Sequence, residues 1–320
     1  MCPLVTVVTL TYKKFDHIYE TLESVLRQNY AKIQYIIADD GSPNFPEDDI
    51  QSYLESHKSD NLISYSILTR EHNVGTVKNF NHAYRAAEGE VILPLSAEDV
   101  FVDTSVVTKI AKRFEQDQCD VLCTSRIMTD EYLKPICYLP YIHNRKRIER
   151  MHSAFDQRKA FLLDEFFDMA SGSVTYMRKS FLETWGYFDE RFVLWEDGPF
   201  YLNYTAKGKK IHFAYDIVSI YYRLGGVSNS GVNPLMRQDQ ILFNDLYRQN
   251  GTGLSHFERR MIHYIRQRYL LTDPLKVYGL YMKNPDIMLL KLWKRLRANV
   301  IYRREKKIIK NRCEDKNAGS

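Results

Sequence analysis

Hydrophobic positions along the first hundred residues switch between unbroken β-branched runs and helical spacing. Leu4-Val5-Thr6-Val7-Val8-Thr9-Leu10 shows no polar alternation, which predicts a central parallel strand covered on both faces. Phe15, Ile18, Leu22, Val25 and Leu26 then recur at helical spacing, and Ile33 to Ala38 forms a second apolar run. Ile63 to Leu68 predicts a third strand, Val77 to Ala87 a helix and Val91 to Leu95 a fourth strand. Alternating strands and helices of this kind predict an α/β fold with a parallel sheet.

The pattern continues with a helix over Asp103 to Phe114 and a strand over Val121 to Ile127. Met128 to Arg158, rich in Tyr, His and Arg, reads as a long irregular loop, and loops of that length are more often functional than idle. Beyond it come a strand from Ser173 to Met177, a helix and the turn Gly186-Tyr187-Phe188-Asp189-Glu190. A helix from about Pro199 and strands around Ile211 and from Ile217 to Tyr222 follow. After Gly231 the chain turns helical and basic. This predicts an α/β domain over 1–230, with halves of about 1–100 and 101–230, and a helical region over 231–320.

A length of 320 residues is enough to bury a core that holds a fixed active site. The net charge of +5 is concentrated in the segment from Lys291 to Arg312, where Glu305 is the only acid, so the rest is close to neutral. The five cysteines, Cys2, Cys119, Cys123, Cys137 and Cys313, include no pair of pairs at metal-site spacing and read as reduced thiols. Met1 to Leu10 has no basic leader or cleavage site, and no window offers the roughly 20 apolar residues of a spanning helix. A cytoplasmic protein, or one peripheral on the cytoplasmic face of the inner membrane, is expected.

In an open parallel sheet, ligands sit beyond the carboxyl ends of the strands, and here two of those ends carry paired acids. Asp39-Asp40-Gly41-Ser42 can accept hydrogen bonds from a ribose or base while Gly41 allows the turn. Glu98-Asp99 offers hard oxygen ligands for Mn or Mg beside a diphosphate. The glycine-containing stretch Arg70 to Asn81 leads into a helix whose N-terminus, with Lys78 and Asn79, can face phosphate; His72 reads as structural or solvated. Trp195-Glu196-Asp197-Gly198 offers a carboxylate able to deprotonate an acceptor hydroxyl. Each motif alone is equally compatible with a capped turn.

Taken in order, Thr11-Tyr12, Asp39-Asp40-Gly41-Ser42, Asn73-Val74-Gly75 with Lys78-Asn79, Glu98-Asp99, Gly186 to Glu190 and Glu196-Asp197 resemble the family 2 glycosyltransferases of bacterial surface-polysaccharide and O-antigen synthesis. The resemblance spans roughly residues 4 to 230. It implies the GT-A fold with a mixed central sheet, a nucleotide-sugar donor (a UDP-sugar), a divalent cation and inversion at the anomeric carbon by a hexosyltransferase. Carried over by position, Thr11 and Tyr12 lie at the base, Asp40 binds it, Glu98 lies near the ribose, and Asp99 holds the metal with Glu98 beside it. Asp197, with Glu196, is the catalytic base, and Arg223 in the segment Tyr221 to Ser228 closes over the diphosphate. The chain departs from the family pattern at Ser96, where many members have Asp, and at Leu10 and Lys13, where Pro and Asn are common.

Leu289, Leu292, Trp293, Leu296 and Val300 recur at helical spacing among Lys291, Lys294, Arg295 and Arg297, with Arg303, Arg304, Lys306, Lys307 and Lys310 beyond. Such a basic amphipathic helix suits an anionic membrane surface; docking on the catalytic domain is the competing reading, and nucleic acid is not the expected partner. Tail and family together suggest a polyprenyl-diphosphate-linked glycan acceptor. The rival readings are a non-catalytic nucleotide-sugar-binding or membrane scaffold protein and a sugar nucleotidyltransferase. The latter would carry a Gly-rich basic loop where this chain has Thr11-Tyr12-Lys13-Lys14.

Overall fold

The computed structural model describes residues 2–165, 168–224, 233–249, 251 and 253–318, with the backbone alone for 312–318. Nine strands form one mixed sheet: β1 (Val5–Thr11), β2 (Ile33–Asp39), β3 (Leu62–Leu68), β4 (Val91–Ser96), β5 (Val100–Phe101), β6 (Val121–Thr129), β7 (Pro135–Leu139), β8 (Thr175–Arg178) and β9 (His212–Arg223). Their spatial order is β3-β2-β1-β4-β8-β6-β9-β5, with β7 paired to β6. The first four strands run parallel. β8 lies antiparallel between β4 and β6, while β9 runs parallel to β6.

The first four helices are α1 (Ile18–Leu26), α2 (Glu47–His57), α3 (Thr76–Ala86) and α4 (Val106–Asp117). Hydrophobic spacing announces three of them; α2 it does not, since only Ile50 and Leu54 of its residues are buried. The expected irregular loop over 128–158 is instead ordered. β7 closes an antiparallel hairpin on β6, and α5 (Ile142–Glu149) and α6 (Ala154–Leu162) follow. These helices escape sequence reading because α5 buries Ile148 alone and α6 buries Gln157 beside Ala160 and Leu162, leaving no apolar stripe.

α7 (Lys179–Trp185) and α8 (Asp197–Ala206) precede β9. The two strands expected around Ile211 and Ile217 are one long strand with a break in register, where Thr124 pairs with Ala214 and Ser125 with Val218. The Ser125 hydroxyl fills the break by donating to the carbonyls of Tyr215 (3.1 Å) and Ile217 (3.0 Å).

The C-terminal helices are α9 (Pro234–Leu246), α10 (His256–Leu270), α11 (Pro274–Lys283) and α12 (Pro285–Ala318). The boundary expected near Gly231 lies outside the described residues. One hydrophobic core runs from Val5, Val7 and Val8 of β1 through to Phe243, Ile262, Ile265 and Ile287 of the helical region. α12 docks by one side: Ile301 and Tyr302 pack on Cys137, Leu139 and Tyr141, and the buried Glu305 accepts from the His143 N–H at 3.2 Å. Its other side leaves Leu289, Leu292, Trp293, Leu296 and Val300 more than half exposed. Leu275, Tyr278 and Met282 extend this apolar surface along α11.

Because the core is continuous, Ile265→Ala should cost about 2–4 kcal/mol and lower the midpoint of a single transition. Urea unfolding followed by tryptophan fluorescence and by far-ultraviolet circular dichroism should give coincident curves; two separated transitions would show that the helical region folds on its own.

Candidate active site

Three parallel strands end at one cleft and each delivers part of it. At the end of β1, the Thr11 hydroxyl donates to the Lys14 carbonyl (2.9 Å), closing a turn that carries Tyr12, with Lys13 over its ring. At the end of β2, Asp39 accepts from the Ser42 N–H and hydroxyl, both at 2.6 Å. Beyond the end of β4, Glu98 and Asp99 occupy the turn into β5, and the Thr21 hydroxyl of α1 donates to the carbonyls of Ala97 (3.0 Å) and Asp99 (2.8 Å). The following helix α4 starts only at Val106, with Ser105 before it, so the acid pair is not a helix cap.

The cleft holds a cavity of about 360 Å³ lined among others by Thr11, Tyr12, Asp40, Asn79, Glu98 and Glu196. Six of the residues singled out from sequence therefore share one space. Asn79 donates to the Ala38 carbonyl at 3.0 Å, while its buried Oδ1 has no protein partner. Lys78 is exposed and does not line the cavity.

Asp40 is buried and its carboxylate is engaged by protein: it accepts from the Val74 N–H (3.0 Å), the Gly75 N–H (2.9 Å) and the Asn73 side chain (2.8 Å). Burial raises its pKa although those two backbone N–H groups and Arg70 oppose the shift. Its geometry fixes the loop that covers the cavity.

Asp99 is buried and, unlike Glu98, does not line the cavity. Its Oδ1 accepts from the Arg223 N–H at 3.1 Å, and its buried Oδ2 has no partner among the described residues. Burial pushes its pKa up to about 7 against the pull of that N–H and of Arg126. An unpartnered buried carboxylate oxygen beside a second acid fits a hard divalent cation. No cluster of three or more His, Cys, Asp or Glu that could hold a metal occurs among the described residues, so remaining ligands would come from a diphosphate.

Arg223 does not line the cavity. Its guanidinium donates to the carbonyls of Glu131 (2.9 Å) and Glu98 (2.6 Å) and pairs with Glu20. It clamps the Glu98–Asp99 turn, and with these donors engaged the position expected to close over a diphosphate acts here as a brace. Gly225, Gly226, Val227 and Ser228 of the same motif lie outside the described residues.

Across the cleft, Glu196 and Asp197 open α8. Glu196 makes no side-chain capping bond, and Asp197 Oδ2 accepts from the Gly172 N–H at 2.7 Å. A Cβ on Gly172 would meet Glu196 Oε1 at 2.2 Å, so a larger residue there would displace the Glu196 carboxyl. Burial, then the charges of Asp197 and Asp239, push the Glu196 pKa up to about 8. Burial also raises that of Asp197, opposed by the backbone N–H groups of Gly172 and Gly198 and by Arg126.

Arg126 is a site residue the sequence reading passed over. It sits in β6 with Asp168 on two nitrogens (3.3 and 2.7 Å), the Ser173 hydroxyl on a third (2.6 Å) and the Tyr222 ring at 4.1 Å. Its charge acts on both Asp99 and Asp197. The available signal was a charged residue, Arg126, inside the strand run Val121 to Ile127.

The family model for glycosyl transferase family 2 matches residues 6–223. The chain belongs to that family. Among its relatives is the Escherichia coli UDP-Glc:alpha-D-GlcNAc-diphosphoundecaprenol beta-1,3-glucosyltransferase WfaP, 26% identical over 242 residues, covering 75% of this chain and 85% of that one. Staphylococcus aureus TarS residues 1–349, solved with UDP-GlcNAc, superposes with a TM-score of 0.58 at 17% identity, over 83% of this chain and 72% of that one. The Pyrobaculum calidifontis mannosyltransferase PcManGT, solved with GDP-Man and Mn2+, gives 0.60 at 16% identity, over 95% and 83%. These structures share the fold of this family 2 glycosyltransferase.

A carboxyl whose folded pKa is raised adds stability at low pH that is lost as pH rises from the ordinary carboxyl range toward the folded value. Glu196, raised to about 8, therefore costs most at alkaline pH. Between pH 5 and pH 8.5 the parent should therefore lose more stability than Glu196→Gln does, as read from urea midpoints; parallel pH curves would show that Glu196 is not held protonated.

Proposed function

We propose that this family 2 glycosyltransferase moves a hexose from a UDP-sugar to a hydroxyl of a polyprenyl-diphosphate-linked glycan, with inversion and with help from Mn or Mg. The observation that carries the proposal is the placement of Glu98 and Glu196, each from an acidic pair, on one cavity. Thr11, Tyr12 and Asn79 line the part that takes the nucleoside, and Asp40 supports it by holding the 73–75 loop.

Inversion needs a single displacement with a base on the acceptor side. Asp197 takes the acceptor proton, the acceptor oxygen forms its bond to the anomeric carbon, and the bond from that carbon to the diphosphate breaks. Asp197 is suited to this because N–H donors and Arg126 favour its charged form, while Glu196 stays protonated near neutral pH. A protonated Glu196 can donate a hydrogen bond to the donor in the cavity. When bound at Asp99 and Glu98, a divalent cation would neutralise charge on the leaving diphosphate.

The relatives support the remaining specifics: WfaP uses UDP-Glc and a diphosphoundecaprenol-linked acceptor, and the TarS and PcManGT structures contain UDP-GlcNAc or GDP-Man with Mn2+. No helix among the described residues is long and apolar enough to cross a membrane. The exposed stripe on α12 and α11, flanked by Lys291, Lys294, Arg295 and Arg297, provides a peripheral contact with an anionic bilayer, on the cytoplasmic face where nucleotide-sugars are available.

Titration calorimetry should show UDP binding that weakens with chelator and with Asp99→Ala. Asp197→Asn should retain donor binding and lose transfer by about 100-fold or more; turnover near the parental rate would sink the base assignment. On the membrane side, Leu292→Asp with Leu296→Asp, both exposed, should abolish co-sedimentation with vesicles containing anionic lipid. Unchanged sedimentation would remove this surface from consideration.

A further inference from the structure

Asp239 lies on α9, beyond the 6–223 span of the family match. It is only 2% exposed, yet among the described residues it makes no ion pair. Its carboxylate instead accepts from the N–H groups of three successive residues: Val193 (3.0 and 3.1 Å to the two oxygens), Leu194 (2.6 Å) and Trp195 (3.0 Å). Successive N–H groups converging on one anion form a nest of positive potential, and such charge-assisted bonds offset the loss of water around a buried carboxylate.

The segment held this way runs directly into Glu196 and Asp197. Leu194 and Glu196 both line the donor cavity, as do Asn233 and Leu235 at the start of α9. Trp195 also packs on Phe243, one turn along the same helix, with ring centroids 4.5 Å apart. On its far side the segment meets the nucleotide end of the cleft. The Val193 carbonyl accepts from the Val77 N–H at 3.1 Å. Gly75, at φ 96, has no room for a Cβ, which would meet Val193 Cγ1 at 2.6 Å and its carbonyl oxygen at 2.7 Å. The Gly75 N–H is itself bonded to Asp40. Asp40, Gly75, Val193 and Asp239 thus form one chain of contacts from the β2 end of the cleft to the acid pair of α8.

We infer that Asp239 is a positioning residue for the transfer step: by pinning residues 193–195 it fixes Glu196 and Asp197 against the donor cavity, so the helical region after the family domain is part of the catalytic apparatus. The inference rests on the proposed roles of Asp197 and the cavity. A carboxylate serving only stability would, when altered, lower the unfolding midpoint and the yield of folded protein but leave the rate per folded molecule unchanged. A carboxylate that aims the base lowers kcat while leaving donor binding intact, because the 0.5–1 Å that matters for proton transfer matters little for a nucleotide.

The test uses the full-length protein with a UDP-sugar and a diphosphate-linked acceptor. Asp239→Asn places an N–H donor among the three backbone donors and should lower kcat at least tenfold, with donor KM and UDP affinity within about twofold of the parent. Asp239→Glu, which restores the charge one methylene farther out, should fall between. In an Asp197→Asn background, Asp239→Asn should add little further loss, as expected for residues acting through one group. Parental kcat in folded Asp239→Asn, or parallel losses in kcat and UDP affinity, would overturn the inference. If Asp239→Asn does not fold, Asp239→Glu decides: a several-fold drop in kcat at unchanged donor KM supports the inference and parental kcat overturns it. Loss of transfer in Asp197→Asn alongside an active Asp239→Asn would refute only this inference, whereas an active Asp197→Asn would remove the reading beneath it.

Discussion

Carboxylates stripped of water and held by backbone N–H groups organise this cleft. Asp39 is held by Ser42, Asp40 by Val74 and Gly75, Asp99 by Arg223, Asp197 by Gly172, and Asp239 by Val193, Leu194 and Trp195. Apart from the local Asp39–Ser42 turn, each bond joins a side chain on one element to the main chain of another segment, so the loops at the strand ends are fixed to each other as well as to the sheet. The arrangement works because backbone N–H groups favour a charge without neutralising it. Had lysines or arginines paired with all these acids, the cleft would have no unsatisfied oxygen to offer. As built, Asp99 keeps one, and Arg126 supplies a buried cation shared among Asp168, Asp99 and Asp197.

That economy of cations separates the two acid pairs chemically. Asp99 and Glu196 both have raised pKa values, and for both burial is the largest cause. The upward shift of Asp99 is opposed by an N–H and by two arginines, whereas Glu196 sits beside two further acids, Asp197 and Asp239, whose charges add to its shift. Similar side chains on facing walls therefore hold protons differently. On the wall of β4 the arginines pull against the burial of Asp99; on the wall of α8 the neighbouring acids add to the burial of Glu196, while N–H groups and Arg126 pull against that of Asp197.

Sequence reading found what short-range patterns encode. The buried strands β1, β2 and β4 are mostly apolar or β-branched runs, and the paired acids that follow β2 and β4 stand out against them. α2 was invisible because two buried residues in eleven make no stripe. The hairpin and helices of 128–162 were invisible because their stability comes from β6 and from one another's surroundings, not from their own periodicity. For Arg223 the family pattern gave the position and the structure gave a different use, since bracing Glu98 requires partners from residues 20 and 131 that no local motif reveals. Arg126 and Asp239 follow the same logic: their meaning lies in long-range contacts.

The tail shows why the two readings of a basic amphipathic helix need not compete. At about 100° per residue, Ile287, Ile301, Glu305 and Ile309 fall on one side of α12, and Met288, Leu289, Leu292, Trp293, Leu296 and Val300 on another. The first side docks on the protein through β7 and α5. β7 is hydrogen-bonded to β6, and β6 carries Arg126, which reaches Asp168 and Ser173 beside the cleft. The exposed stripe is therefore tied to the acid pairs through a continuous set of paired strands, and any surface that the stripe touches stands at a fixed height and angle to the cavity. A flexible tether would leave that distance free; a docked helix does not.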